Sequence, residues 1–235
     1  VTRDRDSLLH QTRRPRLLDL FCCAGGAAKG YHDAGFDVVG VDINPQPRYP
    51  FEFIQADALE VSLDGYDAIH ASPPCQGYSA ANNIHQRTDH PLHIGAVRER
   101  LIAAGVPYVI ENVEGAKSSM INPVTVCGLS LGLNVRRHRL FECSFPVMVP
   151  PCTGHERDYL IVFGQGGART RAKQIGRTAK NGPILRRGTA SWEASCEAMG
   201  IDWMRRPELS EAIPPRYTEH IGGYLMSALE YEEAA

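Results

Sequence analysis

Residues 16–42 read RLLDLFCCAGGAAKGYHDAGFDVVGVD, and the fold follows from how this stretch divides. Arg16 to Phe21 is short and mostly apolar, as a buried strand is. Gly25 and Gly26 then allow a tight turn before a helix expected over 27–34. Asp37 to Val41 is a second strand, and it ends on Asp42. Strand, glycine turn, helix and strand form a nucleotide-binding entry, in which backbone N–H groups and the helix N-terminus face the ligand. An acid at the tip of the second strand is the expected partner for ribose hydroxyls, because a carboxylate accepts both hydrogen bonds.

Moving outward, FEFIQAD (51–57) is expected to be a third short strand ending on Asp57, and YDAIHA (66–71) a fourth. The fourth runs into Ser72-Pro73-Pro74-Cys75-Gln76-Gly77-Tyr78-Ser79. Neither proline can continue a ladder, so the chain leaves the sheet there on a stiff loop. Cys75 thus stands at the carboxyl edge of a strand, where open α/β sheets bind their ligands. A cysteine is often just a small core residue, but this setting argues for a working thiol. Residues 80–90 are polar and loop-like, suited to a lid, and helix signals resume at Pro91 and stop at Gly105. PYVI (107–110) is a strand that delivers Glu111 to the same edge as Cys75. Val135 to Phe141 is expected to enter a strand with Arg137 and Arg139 on one face and Arg136 and His138 on the other. From 143 to 190 the chain is rich in Pro, Gly and Arg, and helices follow over SWEASCEAMGI, ELSEAIPP and YTEHIGGYLMSALEYEE.

The chain has 235 residues, enough for one domain or one domain with a large insert. No apolar run is long enough to span a membrane, and the charged first residues do not resemble a secretion signal. Seven cysteines in no regular framework point to reduced thiols and a cytoplasmic setting. Cys143, Cys152 and His155 have irregular spacing for zinc, so no metal is expected. The net charge of −2 is unevenly spread: residues 136–187 carry 11 Lys and Arg against 3 Asp and Glu, whereas both flanks are acidic. A basic segment inside an acidic protein suggests contact with a polyanion.

In order along the chain, DLFCCAGG, GVDIN, ADAL, SPPCQGYS, ENV and RRHR resemble the motifs of the DNA cytosine-5 methyltransferases, over about 16–142 and more weakly over 191–224. The resemblance implies an α/β fold, the class I S-adenosylmethionine-dependent methyltransferase (Rossmann-like) fold, with a small recognition insert. It divides the chain into a catalytic and cofactor-binding core (1–142), a basic target-recognition insert (143–190) and a C-terminal helical segment completing the core (191–235). It implies S-adenosylmethionine as cofactor, held by Phe21, Gly25, Gly26, Asp42, Ile43, Asp57, Ala58 and Pro73. Cys75 would be the nucleophile, Glu111 the acid at ring nitrogen 3 and the amine, and Arg139 the group on the base carbonyl. Arg137 matches the neighbouring motif position. Double-stranded DNA is the implied partner and a monomer the expected state, in a compact enzyme of the phage or orphan modification type.

That chemistry needs a thiolate, so the arginines are expected to lower the pKa of Cys75. It also needs the base out of the stack, with the insert gripping phosphates meanwhile. Two departures stand out: Val135 occupies a place usually held by glutamine, and no glycine-asparagine-serine signature is visible near the C-terminus. RNA methylation, a non-catalytic nucleic-acid-binding relative and a dinucleotide oxidoreductase are the competing readings. Lys29 raises one further question, whether an acidic analogue of the donor is preferred.

Overall fold

The computed structural model describes residues 13–78, 92–153, 155, 159–162 and 191–234. Among them run β1 (Arg16–Leu20), β2 (Asp37–Asp42), β3 (Glu52–Gln55), β4 (Ala68–Ala71), β5 (Tyr108–Asn112), β6 (Val124–Cys127) and β7 (His138–Cys143). They form one sheet in the order β3-β2-β1-β4-β5-β7-β6. The first five strands are parallel, and β7 runs antiparallel to both β5 and β6. The strand order turns back between β1 and β4, and such a switch point is where open sheets leave a ligand crevice.

Alternation along the strands feeds two cores. Leu17, Val38, Ala68, Val109 and Phe141 point to one face. There they meet α1 (Gly26–Asp33) and α5 (Pro215–Ala234) through Ala27, Ala28, Tyr31, Tyr217, Ile221 and Leu225. Leu18, Val39, Ile69, Ile110 and Leu140 point to the other, against Ile94, Val97 and Leu101 of α2 (Ile94–Ala104). Two shorter helices, α3 (Trp192–Met199) and α4 (Arg206–Glu211), build a third cluster beside Ala24 and Val135.

The register fixes what meets at the crevice. Leu20 is level with Val41 and with Ala71, and Ala71 with Ile110. Phe21, Asp42, Ser72 and Glu111 therefore stand level with one another at this edge of the sheet. Glu111 in turn pairs with Phe141, two positions beyond Arg139.

Two expectations change. VTVC is a strand of its own, β6, and β7 begins at His138, later than Val135. Pro215 opens a helix as well as ending the chain's previous turn, since a proline in the first turn loses no intrahelical hydrogen bond. The lid reading of 80–90 and most of the 143–190 insert lie outside the described residues.

Candidate active site

Cys75 follows Pro73 and Pro74 and precedes a 3-10 turn at Gln76–Tyr78, closed by Tyr78 N–H donating to the Cys75 carbonyl at 3.0 Å. The side chain of Asn112, at the end of β5, donates to the Pro73 carbonyl at 2.9 Å, and its own oxygen accepts from Val113 N–H at 3.0 Å. This buried amide ties the cysteine loop to the strand that carries Glu111. Sequence reading passed over it, although its place in the ENV tripeptide was visible.

Glu111 is 5% exposed, with Arg139 Nε 3.0 Å from its Oε1. The N–H does not aim at that oxygen, which makes no hydrogen bond; the two are an ion pair by proximity. Burial pushes the Glu111 carboxyl above its ordinary pKa, against the opposing pull of Arg139, a hydrogen bond from Ser72 and Arg137. Cys75 is solvent-exposed at its surface, yet nearby protein displaces enough water to raise its thiol pKa. Glu111 raises it further and Arg139 opposes. The expected lowering is thus reversed in the free protein, because one arginine does not outweigh desolvation and a neighbouring acid. The register of β4 with β5 brings the cysteine loop and Glu111 to one edge of the sheet, and Arg139 lies against that acid.

Arg137 is engaged elsewhere. Its guanidinium donates to the carbonyls of Val162 at 3.3 Å and Ser210 at 2.9 Å. Burial first, then Arg139, brings its pKa down to about 9. It holds α4 and the 159–162 segment against the sheet, and so positions Arg139 more directly than it reaches into the crevice.

Behind Glu111 lies a chain of hydrogen bonds that the sequence did not disclose. Tyr31 Oη lies 3.0 Å from His70 Nδ1, and His70 Nε2 lies 2.8 Å from Ser72 Oγ. Ser72 donates to Glu111. Burial takes the His70 pKa down to about 3, so the ring is neutral. One orientation satisfies every link: Tyr31 O–H donates to Nδ1, Nε2–H to Ser72, and Ser72 O–H to the carboxylate.

The cofactor-side positions fall on the neighbouring loops. Phe21 (φ 59°) and Cys23 (φ 46°) are left-handed without being glycine, a strain of about 1–3 kcal/mol each that clusters at binding sites. Gly25 is left-handed too (φ 83°). A Cβ on Gly26 would lie 2.4 Å from the Ile213 carbonyl, so this glycine serves helix packing more than ligand approach. The Asp42 carboxylate accepts from Cys23 N–H at 3.1 Å and Asn44 N–H at 2.9 Å. Ile43 beside it is 63% exposed, a large apolar side chain open at the crevice. Asp57 accepts from Leu59 N–H at 2.8 Å, turn chemistry at a strand end, and Ala58 is buried. Asp19 is fully buried with neither oxygen hydrogen-bonded. Burial, Asp42 and Glu111 all push its pKa well above the usual range. Lys29 is paired with Asp33 one turn along α1, 2.6 Å from its Oδ2, and so is a surface ion pair.

A further cluster gathers at the β6–β7 hairpin. Cys127, His138, Cys152 and His155 bring four ligand-type atoms within 4.8 Å of one another. Cys143 packs instead against the α1-side core.

No protein-family profile and no curated protein matches the sequence. Solved structures do. One is a prophage-encoded protein of E. coli described as a DNA modification methyltransferase: 16% identity over 92% of this chain and 99% of that one, TM-score 0.59. Another is the Entamoeba histolytica methyltransferase EhMeth, at 12% identity over 93% and 99%, TM-score 0.62. A third is Spodoptera frugiperda DNMT2, at 13% identity over 90% and 99%, TM-score 0.57. At such identities the likeness is one of fold, and the described residues have the class I methyltransferase fold.

Proposed function

We propose that this chain transfers a methyl group from S-adenosylmethionine to carbon 5 of cytosine in double-stranded DNA, through a covalent adduct between Cys75 and the flipped-out base. The observation that carries the reading is Glu111: a buried acid of raised pKa, with Arg139 Nε 3.0 Å away and its charge felt by the Cys75 thiol. A buried carboxyl that holds its proton more tightly than an ordinary one, beside a cation and a thiol, suits a pyrimidine ring that must accept negative charge.

Phe21, Gly25, Gly26, Asp42, Ile43, Asp57, Ala58 and Pro73 would hold the cofactor. In support, Ile43 offers an open apolar face for a purine, and Asp42 sits at the end of β2 with lone pairs left for ribose hydroxyls. When bound, the cofactor supplies a methyl group on a positively charged sulfur.

Cys75, which is exposed to solvent, gives its proton to water and its sulfur bonds to carbon 6 of cytosine. The electron pair of the 5,6 double bond shifts to form a 4,5 double bond and the carbon 4–nitrogen 3 pair moves onto nitrogen 3, where protonated Glu111 donates a hydrogen bond while Arg139 donates to the carbonyl oxygen. Carbon 5, now electron-rich, takes the methyl group. Loss of its proton to water re-forms the double bond and expels Cys75 as thiolate. Asn112 keeps the cysteine loop in register with Glu111 throughout. The basic 136–187 segment supplies phosphate contacts.

Incubation with methyl-labelled cofactor and either duplex DNA or tRNA tests the reading. Label is expected in DNA, none with Cys75→Ser, and a stable adduct to Cys75 with fluorocytosine-containing duplex. Glu111→Gln should cost roughly 10²–10⁴ in rate. Label in tRNA alone would overturn the substrate but leave the chemistry; label in neither, with no adduct, would overturn both.

A further inference from the structure

The antiparallel hairpin of β6 and β7 sets Cys127 directly opposite His138, and directly opposed residues on one face bring their side chains together. The chain then comes back over this pair, with Cys152 and His155 three positions apart in sequence. Cys152 Sγ lies 3.3 Å from His138 Nε2 and 3.1 Å from His155 Nε2, and Cys127 Sγ lies 3.6 Å from His155 Nε2. Around a tetrahedral zinc, with Zn–S of about 2.3 Å and Zn–N of about 2.0–2.1 Å, a sulfur and a nitrogen ligand are about 3.5 Å apart. The observed separations are those of a set of ligands already gathered on one point.

The surroundings fit as well. His138 Nδ1 lies 3.0 Å from Glu114 Oε1, which places the ring proton on Nδ1 and leaves the Nε2 lone pair facing the cluster. Carboxylates in this position orient metal-binding histidines and strengthen them as ligands. The His138 and His155 rings stack with centroids 5.2 Å apart. Two thiols, two imidazoles and no place left for water match closed, structural sites.

We propose that Cys127, His138, Cys152 and His155 bind one zinc ion in a structural Cys₂His₂ site. It pins the chain that follows β7 back onto the β6–β7 hairpin. Because His138 lies between Arg137 and Arg139, the same ion fixes the segment that presents Arg139 to Glu111. Neither step depends on the methyl-transfer reading.

The test is metal analysis of the full chain purified under reducing conditions without chelator, followed by cobalt(II) titration of the metal-free protein. Stoichiometric zinc is expected, and cobalt should give the intense visible bands of tetrahedral geometry with sulfur-to-cobalt charge transfer in the near ultraviolet. Cys152→Ala, at an exposed position, should abolish those bands while the melting curve shows a folded protein. Cys143→Ala should retain them. Glu114→Ala should weaken metal binding about 10–100-fold. Absence of zinc together with absence of the cobalt bands would overturn the proposal. So would bands that survive Cys152→Ala, or a Cys127–Cys152 disulfide whose reduction restores no metal binding.

Discussion

At the scale of single residues, the protonation of Glu111 is governed from behind as well as from the crevice. Tyr31, His70 and Ser72 form a buried relay whose last hydrogen bond lowers the Glu111 pKa, while desolvation raises it. Removing that hydroxyl leaves burial less opposed. In Ser72→Ala the inflection of the kcat/KM pH profile that Glu111→Gln abolishes should therefore move to higher pH, and a profile unchanged from wild type would show that the relay does not reach the acid. Asp19 makes a stability statement of the same kind. Its folded pKa lies well above the unfolded value of about 3.9, so folding takes up a proton. Its contribution is fully present below the unfolded pKa and is lost as pH rises toward the folded one. Asp19→Asn should flatten the decline of Tm from about pH 4 toward neutrality relative to wild type; parallel Tm curves would mean that the carboxyl is ionised in the fold. His70 has the opposite sign: with a folded pKa of about 3, it contributes stability above its ordinary range near 6.5 that is lost on acidification. Comparing the variant with wild type at each pH cancels that second effect.

At the scale of elements, the chain closes its core by laying α5 against α1. Thr218 Oγ1 donates to the Ala27 carbonyl at 2.8 Å, nearly two hundred positions away in sequence. The contact is close because Gly30 faces it: a Cβ there would lie 2.0 Å from the Pro215 carbonyl and 2.1 Å from Thr218 Oγ1. Gly30→Ala must push the helices apart, a change of the overpacking type that costs about 1–3 kcal/mol, and thermal melting should show a clear fall in Tm. An unchanged Tm would mean that α5 shifts freely on α1. This pairing was only partly legible beforehand. The strand, glycine turn and helix of 16–34 could be read because apolar runs and glycines signal locally. So could the edge shared by Cys75 and Glu111, because strand ends in a parallel sheet fall together. β6 could not, since four residues of VTVC carry no period that separates strand from loop. Once β6 was missed, so was the register that sets Cys127 opposite His138, and with it the cluster that Cys152 and His155 complete. Contacts set by long-range pairing leave no local trace.

At the scale of the whole molecule, charge divides along the chain in a way that the fold explains. The acidic flanks build most of the sheet and the helices, with acids such as Asp19 and Glu111 buried within them, and Glu142 of β7 is buried beside them. Glu142 is held by both Arg98 Nε at 2.6 Å and Nη2 at 2.7 Å, so that arginine is not free for a polyanion. Arg48 is likewise committed to Glu208 of α4. The cations that remain for a nucleic acid are concentrated where the sequence carries no acid at all: residues 164–190 hold seven, from Arg169 to Arg187. If they contact phosphates, affinity must fall linearly with the logarithm of salt, with a slope of about −0.9 per phosphate neutralised on duplex DNA. Arg186→Ala combined with Arg187→Ala should then weaken binding uniformly across sequences and make the slope shallower by about 2 at most. It should leave cofactor binding unchanged, because neither residue is among those proposed to hold the cofactor. Fluorescence anisotropy of a labelled duplex across a salt series reads both quantities. A slope that stays the same after this double substitution would move the phosphate contacts to the sheet edge around Arg136, and the insert would then need another explanation for its charge.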